Sequence, residues 1–265
     1  MAALGAGGAE TDLAGQRQLH SLQYSWFTGG DAAGGDVEAK FRNIVGVDAE
    51  QFQRLKPPAA PIPLVLASST TDDASVRLQI APGRVDINID PLSQEPTPVA
   101  PFFADLQASM SRYTDIASRA CGGFGDAYRQ SLIVRVGIKF SSLEEAAKQF
   151  AIVLASNADF RHATDLSFQL NRRTEHASIP INRVLRWFVE VKEARQVTIT
   201  YNAGLGAIPT EEVLGEEIYL SYLMDINTVP DPKVAHAKEG QERVLASLFD
   251  VAQEALKYET VGEFT

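Results

Sequence analysis

Three carboxylates have the types and spacing to do chemistry. Asp86, Asn88 and Asp90 occupy alternate positions of VRLQIAPGRVDINIDP (residues 76–91), and a second Asp-Ile-Asn recurs at Asp225, Ile226 and Asn227. Residues at i, i+2 and i+4 of an extended chain share one side. Such a stripe of carboxylate and amide oxygens, joined by Asp225 and Asn227, would offer hard ligands to Mg²⁺ or Ca²⁺. Asp86, Asp90 and Asp225 are therefore the candidate metal set. The function they would imply is a metal-dependent hydrolase or nucleotide-processing enzyme. The plainer reading makes the stripe the solvated side of an antiparallel strand. It is preferred here, so no catalytic residue and no cofactor is assigned.

A basic cluster is the second candidate. Between 161 and 195 lie Arg161, Arg172, Arg173, Arg183, Arg186, Lys192 and Arg195, against Asp165, Glu175, Glu190 and Glu193. Trp187 and Phe188 fall within it. Arginine with aromatic residues anchors protein interfaces and some nucleic-acid surfaces. Arg172, Arg173, Arg183, Arg186 and Trp187 are accordingly the partner-binding candidates. Arg183 and Arg186, three apart, point to opposite faces of a strand, which breaks a continuous groove. A hairpin with ion pairs to its own glutamates is the plainer alternative. The formal charge of −10 also argues against nucleic acid and anionic membranes as partners.

Other motifs carry less. Gly204-Leu205-Gly206 lacks the third glycine of a dinucleotide fingerprint, and Pro209 stands where its helix would begin. Gly122-Gly123-Phe124-Gly125 follows a helical pattern rather than a strand, so both glycine clusters read as turns. His20, His162, His176 and His236 are scattered without zinc-site spacing. Cys121 beside two glycines has an exposed-looking setting but no visible partner base, and a single cysteine excludes an internal disulfide. The opening residues lack a secretory pattern, and no apolar run approaches the roughly 18 to 20 residues that span a bilayer. The expectation is a soluble, cytoplasmic protein with no membrane partner.

The elements that would position these residues follow from periodicity. Val76, Leu78 and Ile80 alternate with polar residues, as do Val85, Ile87 and Ile89, and Pro82-Gly83 supplies a turn. A strand is expected over 20–27. Val37, Phe41, Ile44 and Val45 suit a helix. Phe52 and Leu55 suggest a second short one, begun by Asp48 and Gln51 at capping-box spacing. The proline-rich 56–63 reads as a stiff connector, and 64–67 as a short strand. A helix carries Phe102, Phe103, Leu106, Met110 and Tyr113 and ends at Cys121. A strand over 131–140 leads into a helix capped by Ser141 and Ser142 with Glu144 and Glu145. Strands follow near 163–173, 178–191, 195–201 and 216–226, then a helix over 237–257.

The segments are thus a flexible tail over 1–18 and a small strand-helix segment with its connector over 19–61. An α+β half covers 62–160, and a β-rich half with a C-terminal helix covers 161–265. The fold class is α+β, with mostly antiparallel sheets and amphipathic helices packed on one face. VDINIDP (85–91) and MDINTVP (224–230) share Asp, Ile, Asn and Pro in register. Two related β-then-α halves would explain this, as would the ordinary preference of strand ends for these residues.

This order of elements resembles an uncharacterised, sporadically distributed family of bacterial conserved hypothetical proteins. The matching residues are Leu78-Gln79-Ile80, Arg84-Val85-Asp86-Ile87-Asn88, Arg135-Val136-Gly137, Asp225-Ile226-Asn227 and Phe264. The chain departs from the pattern where a capped helix follows the Arg-x-Gly strand directly, and where Asn227 replaces the usual Asp. The resemblance implies the fold and brings no catalytic residues. With architecture clear and catalytic motifs missing, the expected function is a non-enzymatic protein-interaction or assembly component, working as a homodimer or with a protein partner. The alternative is the metal-dependent enzyme built on Asp86, Asp90 and Asp225.

Overall fold

The computed structural model describes residues 17–29, 32–56, 58, 59, 62, 64–92, 100–202, 206–231 and 233–264. The alternation over 76–91 folds as an antiparallel hairpin of β4 (Ala74–Ala81) and β5 (Arg84–Pro91). Leu78 stands opposite Ile87, and Ala81 opposite Arg84 across the two-residue turn. Proline presets φ at the first turn position, and Gly83 takes φ +73° at the second, a value that glycine adopts without a Cβ clash.

The other strands are β1 (Gln18–Thr28), β2 (Gln51–Leu55), β3 (Leu64–Thr70), β6 (Ala127–Phe140), β7 (Ser167–His176), β8 (Ile179–Asn202) and β9 (Gly206–Thr228). Together the nine form one antiparallel sheet in the order β2-β3-β4-β5-β1-β6-β9-β8-β7. Four helices pack against it: α1 (Val37–Val45), α2 (Leu106–Ala120), α3 (Leu143–Val153) and α4 (Lys238–Ala255). The fold is α+β, as the periodicity implies. No helix among the described residues is long and apolar enough to cross a membrane.

The helices cover one face because alternate residues of each strand are apolar. Leu22, Tyr24 and Trp26 of β1, Leu132, Val134 and Val136 of β6, and Met224 and Ile226 of β9 are all buried there. Tyr24 reaches α2 through a 2.9 Å hydrogen bond between its hydroxyl and that of Thr114. Three of the helices open on a side-chain cap, which satisfies an N–H that the helix leaves unpaired. Asp36 accepts from Ala39 N at 3.0 Å, Asp105 from Ala108 N at 2.9 Å, and Ser142 from Glu145 N at 3.2 Å.

The topology repeats. One half runs β1, α1, a meander ending in β5, then α2; the other runs β6, α3, a meander ending in β9, then α4. In each, the last strand of the meander returns beside the first strand of its half. β5 and β9 are thus topological equivalents, and they carry the two Asp-Ile-Asn sequences. Ile87 pairs with Tyr24, and Ile226 pairs with Leu132. Tyr24 and Leu132 in turn stand opposite each other where β1 meets β6. A two-fold relation between the halves requires that coincidence. Side chains repeat it: Gln23, opposite Asn88, donates to Asp86 at 3.1 Å, and Ser131, opposite Asn227, donates to Asp225 at 2.7 Å. The topological repeat restarts at β6, after Ala120, and β2 is an addition to the first half.

Some local expectations need correction. Residues 51–55 form the edge strand β2 rather than a helix. The five residues 51–55 are too few to offset helix nucleation, and β3 offers them a ladder. Asp48 pairs with Arg42 instead of capping. Phe103 precedes α2 and bridges to Leu19. Gln18 already belongs to β1. The expected strands over 178–191 and 195–201 are one continuous strand, with a register irregularity at Ala194/Arg195. Residues 1–16 of the tail, with Pro57, Ala60, Pro61 and Pro63 of the connector, lie outside the described residues.

Ile87 and Ile226, 1 % and 0 % exposed, occupy equivalent core positions. Ile87→Ala and Ile226→Ala are each expected to lower unfolding free energy by about 2–5 kcal/mol in urea titrations. A loss below about 1 kcal/mol at either site would contradict this packing.

Candidate functional site

The structure distributes the three carboxylates rather than gathering them. Asp86 is not on a wet face: it is 6 % exposed and accepts from Ser25 Oγ at 2.6 Å, Gln23 Nε2 at 3.1 Å and Arg84 Nε at 2.9 Å. The short Ser25 lets the longer Arg84 and Gln23 close over it. Asp90 is half exposed and 3.9 Å from Arg77, with burial raising its carboxyl pKa against the pull of that guanidinium. Asp225 accepts from Ser131 Oγ and from Asn227 Nδ2 at 2.9 Å. β1 and β6 lie between Asp86 and Asp225, and the two are offset by two residues along the strands, so they stand about 16 Å apart. Among the described residues no group of three or more His, Cys, Asp or Glu is arranged to hold a metal ion.

A denser polar network sits on the same face at the far end of β6 and β9, and the sequence reading missed it. Glu217, 4 % exposed, accepts from Ala100 N at 2.7 Å, Tyr219 Oη at 2.9 Å and Lys139. Burial alone would raise its carboxyl, yet these donors outweigh it and hold the pKa below the usual carboxylate range. Glu190 pairs with Arg135 and accepts from Ser221. Lys192 lies 4.8 Å over the Tyr219 ring, and His20 meets that ring edge-on at 4.9 Å.

His20 Nδ1 is 3.4 Å from Pro101 O, while its buried Nε2 has no hydrogen-bond partner among the described residues. A Cβ on Gly137 would come within 2.7 Å of that nitrogen. Gly137 is therefore the signal in the sequence: a glycine inside a strand marks close approach by another group. Burial, reinforced by Lys192 and Arg135, pushes the His20 pKa down to about 4. The charged groups here satisfy one another and fasten the start of β1 and residues 100–103 to the sheet.

The basic candidates are also divided. Trp187 is 4 % exposed and stacks on Tyr222 with centroids 4.8 Å apart, so it is a core residue rather than a surface anchor. Arg183 shares the helix-covered side and lies 3.7 Å from Glu254 on α4, with Arg172 opposite it in register. Arg173 and Arg186 are on the open side. Arg173 donates to Asn182 at 3.1 Å, and Arg186 donates to Ser167 at 3.0 Å while covering Phe188. Period-two alternation along β7 and β8 separates these five residues. Cys121, expected exposed, is buried, and burial pushes its thiol up to about 12.

What stands out from the body is an arm. β7 accompanies β8 only as far as Phe188, and β6 accompanies β9 only from Ile218 onward. Beyond these points, among the described residues, β8 and β9 pair only with each other, out to Asn202 opposite Gly206. Lys192 to Asn202 alone spans roughly 35 Å of extended chain. Ile199, Val213 and Leu214 are 54 %, 50 % and 46 % exposed along it, and Val191 at its base is 42 % exposed. Ala203, Gly204 and Leu205 at the expected glycine turn lie outside the described residues.

Neutral burial of His20 has a consequence for stability. The unfolded chain protonates it near 6.5 and the folded chain only near 4, so the unfolded state holds more protons between those values. Its stabilising contribution is full above pH 6.5 and is lost as pH falls toward 4, a difference of order 3 kcal/mol. His20→Gln is expected to flatten the fall of urea-unfolding free energy across that window, and an unchanged slope would contradict the assignment.

Compared with protein-family models, curated proteins and solved structures, the chain has no match.

Proposed function

We propose that this protein is a non-enzymatic protein-interaction or assembly component, and that the β8–β9 arm is its contact element. The arm is the observation that carries this reading. A two-stranded ribbon is marginally stable in water on its own, and this one holds three large apolar side chains, Ile199, Val213 and Leu214, open to solvent. Both features are relieved when another chain covers it. The polar clusters on the sheet support the same reading, because their carboxylates are held by donors within the protein rather than presented to a substrate.

Glu193 and Glu216 face each other in the ladder, so the arm can be excised there and closed with an Asn-Gly turn. The shortened protein is expected to keep the unfolding transition of its body. It is also expected to lose whatever chain co-purifies with the full-length protein from its native host, whether another protein or a second copy. A full-length protein that is monomeric, with no partner dependent on the arm, would overturn the proposal.

A further inference from the structure

We infer that the occupant of the arm is a second copy of this chain, paired edge to edge through β8 about a two-fold axis at Ile199. The inference rests on the interaction reading above and names its partner. The two edges of the arm differ in how they are protected. Opposite 196–202, the β9 side carries Pro209, which has no N–H, and the charges of Glu211 and Glu212. Proline and charge are how sheets guard an edge against pairing. The β8 side, over 196–202, reads QVTITYN, with no charge, no proline and no glycine. It is rich in the residue types that favour strands.

The hydrogen-bonding direction of the β8 edge follows from two observations. Val189 N–H points away from β9, since it donates to Leu166 O at 3.0 Å. Alternation along the strand gives the same outward direction to Val197, Ile199 and Tyr201. Pro209 agrees: it stands opposite Ile199 in the ladder, and proline is accommodated where no donor is needed across the pair. Ile199 thus turns its N–H and C=O to the free edge.

Self-pairing is written into the order of residue types. Read outward from Ile199 in both directions, the segment is Thr then Thr, Val then Tyr, Gln then Asn. In an antiparallel pair centred on Ile199, like therefore meets like: Ile199 on its own copy, Thr198 on Thr200, Val197 on Tyr201, and Gln196 on Asn202. Ile with Ile, Thr with Thr and Val with Tyr are residue types favoured across strands, and no charge opposes a like charge. An isologous interface demands such a self-complementary patch. On a chain of net charge −10, a neutral segment is also where two copies can approach.

The test is sedimentation velocity of the full-length protein and of Ile199→Asp and Ile199→Lys, with unfolding transitions recorded for all three. Ile199 is 54 % exposed, so neither substitution touches the core. The wild type is expected to be a dimer. Each variant alone places like charges face to face at the axis, and is expected to raise the dissociation constant about tenfold or more. An equimolar mixture of the two is expected to recover the dimer through opposed charges. A monomeric wild type, variants that stay dimeric, or a mixture that fails to recover would each overturn the inference. A monomeric wild type that still loses a host protein on excision of the arm would overturn this inference alone and leave the interaction reading standing.

Discussion

Tyr24 opposite Leu132, where β1 meets β6, joins two halves of the chain that share no other strand ladder among the described residues. The register of that one ladder decides the rest of the architecture. A slip by one residue would turn Leu22, Tyr24 and Trp26 away from the helices and bring Gln23 and Ser25 under them. It would also end the relation in which β5 and β9 lie symmetrically about the centre. α2 and α4, which pack against each other over this seam, depend on the same register.

The polar side of the sheet follows from the central pairing. Asp86 and Asp225 each find donors on the neighbouring central strand, Gln23 and Ser25 for one and Ser131 for the other. Asp86 is buried, and a buried carboxylate is tolerated only when hydrogen-bonded, so its contacts discriminate against any pairing that would leave it unsatisfied. The His20 and Glu217 network does the same at the far end, with Gly137 supplying the space. Donors to these carboxylates thus come from neighbouring strands of the same sheet, while Ile199, Val213 and Leu214 stand exposed on the arm.

Much of this was legible in the residues, though unevenly. The hairpin of β4 and β5, the caps of α3, and the strand after the glycine loop were plain, because alternation and capping are local patterns. The helix expected at Phe52 and Leu55 failed because a partner strand, distant in sequence, outbid a weak local preference. Trp187 was read as an anchor because nothing local tells a buried tryptophan from an exposed one. The arm was divided into separate strands at Ala194, since periodicity cannot show that a strand continues through an irregularity after its neighbours have ended.

The sequence by itself determined the fold class, the apolar side of the β4 and β5 strands, and the recurrence of Asp-Ile-Asn. Those are consequences of spacing along one segment. Only the tertiary structure decided that Asp86 is buried, that Asp86 and Asp225 stand apart in equivalent places, and that β8 and β9 outrun the sheet. Each depends on which strands become neighbours and where their pairing stops. The reason is physical: burial of a side chain and exposure of a strand edge are set by groups brought from far along the chain.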